Sequence, residues 1–149
     1  MPSVAASPSP SPTGAGFALG DPAQADNGQV QATVFDYKQP IAPDVPTSAP
    51  GGNVWGAADV QVCVAATAIF DVSVSKTPWQ LYSPDAPPAT PALIADSRFP
   101  QPGYPADHRR LHAGQCVRGW IVFTVGTGVR PTVIKYAPTG ATPVSWNLP

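Results

Sequence analysis

The 21 prolines of this 149-residue chain are unevenly placed, and their placement limits the fold more than any other feature. A residue without a backbone N–H cannot sit in a central strand. Prolines crowd the opening residues, the stretch 40–50, the stretch 78–105 and the C-terminal end, whereas 23–39, 51–77 and 106–130 contain none. Those three windows are where the interior of a sheet is expected.

Composition points the same way. Charged residues are 11% of the chain, well below the ~25% of an ordinary soluble protein, and the nine acidic residues are all Asp. Glu favours helices and Asp does not, so long surface helices are disfavoured. The expected class is all-β with many turns, and the length suits one domain.

Strand patterns run through the windows. In "QVQATVFDYK", Val30, Ala32 and Val34 face one side, and Phe35 and Tyr37 the other. In "NVWGAADVQVCVAATA", Val60, Val62 and Val64 form one face and Gln61, Cys63 and Ala65 the other, with a bulge expected at Gly56-Ala57 after Trp55. Phe70, Val72 and Val74 alternate with Asp71, Ser73 and Ser75, and Trp79 shares a face with Leu81. In "GQCVRGWIVFTV", Val117, Gly119, Ile121, Phe123 and Val125 oppose Cys116, Arg118, Trp120, Val122 and Thr124. "TVIKYAP" and "PVSWNLP" supply two closing strands, the last with Val144, Trp146 and Leu148 on one face. Several short strands with turn signals between them predict a two-sheet antiparallel sandwich. Trp55, Trp79 and Trp146 are its expected core anchors. The proline-rich stretch 83–105 reads as a long excursion with one short edge strand, and "ADHRRLHAG" as a single helical turn ended by Gly114.

Residues 1–22, opening "MPSVAASPSPSPTGAG", form a Ser/Pro-rich tract with almost nothing to bury, expected to be a disordered tether ahead of a domain at 23–149. The tract lacks the basic and apolar regions of a signal peptide. A generic flexible N-terminus is one reading. The other, which we favour, is that an export signal or a lipid-anchored cysteine stands upstream and has been removed.

Cys63 and Cys116 each lie opposite a valine-rich stripe. If those stripes face the core, both sulfurs are on outer faces, and a disulfide would join neighbouring strands of one sheet rather than cross the core as in antibody domains. Closing a loop of about 54 residues contributes roughly 4 kcal/mol in the chain-entropy model. Two separate buried thiols are the alternative.

The stretches "VWGAADVQVCVAA", "PWQLYSPD", "LHAGQCVRGWIVFTV" and "VIKYAP…VSWNLP" resemble a family of small exported actinobacterial proteins of unknown function with a telokin-like, immunoglobulin-like β-sandwich, related to the mycobacterial secreted immunoprotective antigen. Leu111, Gly114, Gly119, Ile121, Phe123, Tyr136 and Trp146 occupy the places of its packing pattern, over most of 29–149. The resemblance implies an immunoglobulin-like sandwich and export, and carries over no catalytic chemistry.

Function classes narrow accordingly. The formal net charge is −1 and the longest basic run is Arg109-Arg110, so the cationic footprint that nucleic-acid binding needs is missing. No apolar run approaches the ~20 residues of a membrane span. His108 and His112 with Asp107 would make a metal site only on a helix, and an exposed polar loop is the expected reading. There is no G-x-S-x-G elbow and no Glu for a glycosidase pair, so neither enzyme nor cofactor chemistry is expected. Arg118 and Trp120, on the outward parity, are the candidate binding patch, either open as an aromatic–cation platform or covered by the 83–105 excursion. The expected function is contact with a protein or envelope partner by an exported or surface-tethered domain, with carbohydrate or small-ligand binding as the alternative.

Overall fold

The computed structural model describes residues 16–41, 53–92, 99–105 and 108–149. Ten strands are described: β1 (Pro22–Ala25), β2 (Val30–Lys38), β3 (Val54–Val64), β4 (Val72–Val74), β5 (Trp79–Ser83), β6 (Ala86–Ala89), β7 (Arg109–Leu111), β8 (Cys116–Val125), β9 (Val133–Tyr136) and β10 (Val144–Asn147). They form an antiparallel sheet in the order β1-β2-β3-β8, a second in the order β10-β9-β5-β6, and a two-stranded ribbon of β4 and β7. The result is an all-β, immunoglobulin-like sandwich.

The three proline-free windows supply β2, β3 and β8, the long strands of the first sheet. Prolines inside strands fall on edges, Pro22 in β1 and Pro87-Pro88 in β6, where a missing N–H breaks no ladder. The second sheet escapes the proline map. Its inner strands β5 and β9 are short enough to fit between Pro78 and Pro84 and between Pro131 and Pro138.

Between the sheets lie Val60, Val62, Ile121 and Phe123 from one side and Trp79, Leu81, Ile134 and Trp146 from the other, all at most 1% exposed. Trp79 is the hub, with ring centroids 4.6 Å from Tyr136, 5.9 Å from Trp146 and 6.3 Å from Tyr104. Trp55 is also buried, but in a different place. It packs with Ile41, Ala57, Ala92 and Phe99 on the outer face of the first sheet, so it anchors a second, smaller cluster rather than the core.

Four further expectations are corrected. The ladder between β3 and β8 is regular through Gly56 and Ala57, and the bulge lies in β2, between Val34 and Asp36. One extra residue in a strand reverses the faces beyond it, so Tyr37 enters the core while Phe35 stays outside beneath Arg118. Gly56 lies against the Tyr37 ring, and a Cβ there would come 3.0 Å from the Tyr37 Cζ. Phe70 is not part of a buried stripe; Ile69 and Phe70 are 82% and 73% exposed, and β4 begins after them. Residues 109–111, read as helical, form β7, paired to β4 in the register Val72↔Leu111, with Gly114 (φ 82°) turning the chain into β8.

The boundary expected at residue 23 runs through paired backbone. The Phe17 N–H donates to the Ser145 carbonyl at 2.8 Å, the Phe17 carbonyl accepts from Asn147, and the Trp146 indole N–H donates to the Asp21 carbonyl at 2.8 Å. The chain from Gly16 onward is therefore part of the sandwich, and residues 1–15 of the expected tether lie outside the described residues.

Candidate functional site

Cys63 and Cys116 face each other in the β3–β8 register and are joined by a disulfide. Their Cα atoms are 4.0 Å apart, the short spacing of antiparallel pairs that exchange no ladder hydrogen bonds, ~4.5 Å. Cys116 is exposed and Cys63 half-buried, on the face away from the core. The bridge closes a 53-residue separation within one sheet.

Arg118 and Trp120 continue that face, and their neighbours already engage them. The Arg118 guanidinium donates to both Asp59 carboxylate oxygens, at 3.2 and 2.9 Å, and stacks 3.9 Å from the Phe35 ring centroid. The Asp59 hydrogen bonds hold its pKa above the ordinary arginine value. Trp120 is half-buried against the outer cluster, with the Lys38 ammonium 5.0 Å from its ring. Its backbone N–H donates to the Pro102 carbonyl and its carbonyl accepts from Tyr104. The proline-rich excursion thus returns as a strap beside the free edge of β8. Phe99 lies on the outer cluster, and Tyr104 has crossed into the core. The crossing passes over Gly119, where a Cβ would come 2.6 Å from the Gly103 carbonyl carbon. An uncovered sheet edge invites pairing with other chains, and this one is covered at Trp120 by the strap and at Val122 by Ala92.

His108 and His112 do not converge. Each has its own partner: His108 Nδ1 lies 3.2 Å from the Ser73 hydroxyl in β4, and His112 Nδ1 2.7 Å from an oxygen of Asp71, just before β4. Roughly 13 Å of extended backbone separates them at ~3.3 Å per residue. Asp107 lies outside the described residues. Among the described residues no group of three His, Cys, Asp or Glu is placed to hold a metal ion.

One cleft was not anticipated. It encloses about 490 Å³ between the β4–β7 ribbon and the end of β9, bounded by Asp26, Asp71, Ser73, Ser75, His108 and Thr139 among others. Asp26 and Asn27, at φ 52° and 56°, occupy the left-handed region, which Asp and Asn tolerate better than most residues. Ser75 is 6% exposed. Burial first, and the Asp26 carboxylate second, push the Tyr136 hydroxyl pKa up to about 12. The sequence signal was only the turn "DNG", because the lining comes from four separate segments.

No protein-family model and no curated protein matches the chain. Solved structures do. The chain is similar to MPT63, a secreted protein from Mycobacterium tuberculosis, with a TM-score of 0.59 at 18% identity over 87% of this chain and 94% of that one. It is also similar to the yjhA protein of Bacillus subtilis, with a TM-score of 0.62 at 10% identity over 89% and 99%. A candidate lipoprotein of Bacillus subtilis (ycdA) matches with a TM-score of 0.58 at 14% identity, over 85% of this chain and 38% of that chain. At these identities the shared property is the fold, which is the fold implied by the sequence resemblance.

Proposed function

We propose that the protein is a non-enzymatic, exported or surface-tethered β-sandwich of the actinobacterial kind resembled above, acting by contact with a protein or envelope partner. The observation that carries this reading is the Ile69-Phe70 pair. Two adjacent large hydrophobics at 82% and 73% exposure, beside Arg110, form a tip of the kind that a partner covers. Export is supported by the disulfide, whose exposed Cys116 would be open to reduction in a reducing compartment. A secreted protein and a candidate lipoprotein among the fold neighbours support it too. Among the described residues, no helix is long and apolar enough to cross a membrane.

The test is a crosslinking pull-down from native cell envelopes with the wild type and the double variant Ile69→Ser/Phe70→Ser. A partner captured by the wild type and lost by the variant supports the reading. Identical captures by both proteins would remove the tip from the contact surface.

A further inference from the structure

We propose that the cleft between the β4–β7 ribbon and the end of β9 binds a small organic ammonium carried on a hydroxylated frame, as in an amino sugar. This goes beyond the contact role and uses a different feature from the Ile69-Phe70 tip. Its volume of about 490 Å³ lies within the ~300–1,000 Å³ of small-molecule sites.

The chemistry of the lining selects the ligand class. Asp26 and Asp71 bring carboxylates, Ser73, Ser75, Thr77 and Thr139 bring hydroxyls, and neither Lys nor Arg lines the cleft. The one basic side chain in the lining, His108, leans on Ser73, whereas an ammonium finds carboxylates. Asp71 is already engaged by His112 at 2.7 Å and approached by Arg110 at 3.9 Å. Asp26 has no ion-pair partner among the described residues, so it is the carboxylate left for a ligand cation. The hydroxyls can donate to or accept from ligand hydroxyls. Val72, Pro78 and Pro138 offer apolar surface to the C–H faces of a ring. The Asp26–Gly28 turn holds its position through a backbone that few residues adopt, with φ of 52°, 56° and 83° in succession.

The experiment is a two-dimensional amide NMR titration of the full chain with glucosamine and, separately, with N-acetylglucosamine, whose nitrogen carries no charge. The expected result is that glucosamine shifts amides of Ser73, Ser75, Thr77 and Thr139, and that N-acetylglucosamine binds about tenfold more weakly. Asp26→Asn, which tolerates the same φ, should weaken glucosamine by about tenfold, the loss expected for one charge-assisted hydrogen bond. If asparagine disturbs the turn, Asp26→Gly meets the same backbone demand and should give the same loss. Equal binding of both sugars overturns the proposal. So do unchanged affinity in an Asp26 variant that keeps the wild-type spectrum elsewhere, shifts confined to the Arg118/Trp120 face, and the absence of any shift at the cleft.

Discussion

The two faces of the β1-β2-β3-β8 sheet bury apolar residues by different means. The inner face meets another sheet, so Val60, Val62, Ile121 and Phe123 are closed in by Trp79, Leu81, Ile134 and Trp146. Among the described residues, the outer face meets only loops. Over half of it, Trp55, Ala57 and Val122 are roofed by Ile41, Ala92 and Phe99. Over the other half, Arg118 pairs with Asp59 and the disulfide stands at the surface. One strand, β3, alternates between both environments residue by residue. Strand alternation therefore reports which side a residue faces, but not what covers that side.

The sharpest test of this difference removes one ring from each face. Trp79→Ala should cost about 4 kcal/mol, within the range for large aromatic truncations, because a void between two sheets cannot collapse. Phe99→Ala should cost about 1–2 kcal/mol, since its roof is a single segment that can settle onto Trp55, 5.3 Å away between ring centroids. Urea unfolding with the disulfide intact measures both. Equal costs would mean that the outer cluster is a core in its own right.

The inner face was the more legible of the two. The parity of Val60, Val62 and Val64 against Cys63, and of Val117 and Ile121 against Cys116, was enough to put the disulfide outside and within one sheet. Tyr37 was misplaced because a single inserted residue, Phe35, reverses the faces after it, and nothing in "VFDYK" marks the insertion. Phe70 continued a valid alternation, yet no described strand pairs with it, and a pattern cannot report a missing neighbour. Phe17 was read as tail because its pairing partner, Trp146, is more than a hundred residues away. The cleft was invisible for the same reason. Four segments meet there, and none carries a motif alone.

The strap joins the two faces, and Gly119 is where it crosses. Gly119→Ala places a methyl group against the Gly103 carbonyl, with backbone on both sides and no flexible side chain to give way. The expected cost is about 1–3 kcal/mol, the usual penalty for overpacking. Release of the strap should also expose Trp120 to iodide quenching, read with the other three tryptophans replaced by phenylalanine. Gly103→Ala is the control: nothing lies within 4 Å of its added Cβ, so stability should stay within about 0.5 kcal/mol of the wild type. If the two alanines behave alike, the strap is not seated on β8 as described.

The smallest effect is expected on the open half of the outer face. Arg118 is well placed, with two hydrogen bonds to Asp59 and a ring beneath it, but its side chain is 51% exposed. Water and salt screen such a pair, and two ordered side chains offset much of the attraction in entropy. Arg118→Ala should therefore lower Tm by about 2 °C or less, and the difference should shrink at 1 M salt, where the Debye length falls to ~3 Å. Leaving Asp59 unpaired should cost more than leaving Arg118 unpaired. The Asp59 side chain is only 13% exposed, so its charge loses its main compensation when the guanidinium is removed, whereas Asp59→Asn leaves an exposed arginine that water can solvate. A double-mutant cycle separates the cases. If Arg118→Ala costs more than Arg118→Ala/Asp59→Asn, the guanidinium serves to neutralise a half-buried carboxylate. That role leaves it little freedom to act as a docking platform, and it assigns the polar half of this face to stability rather than recognition.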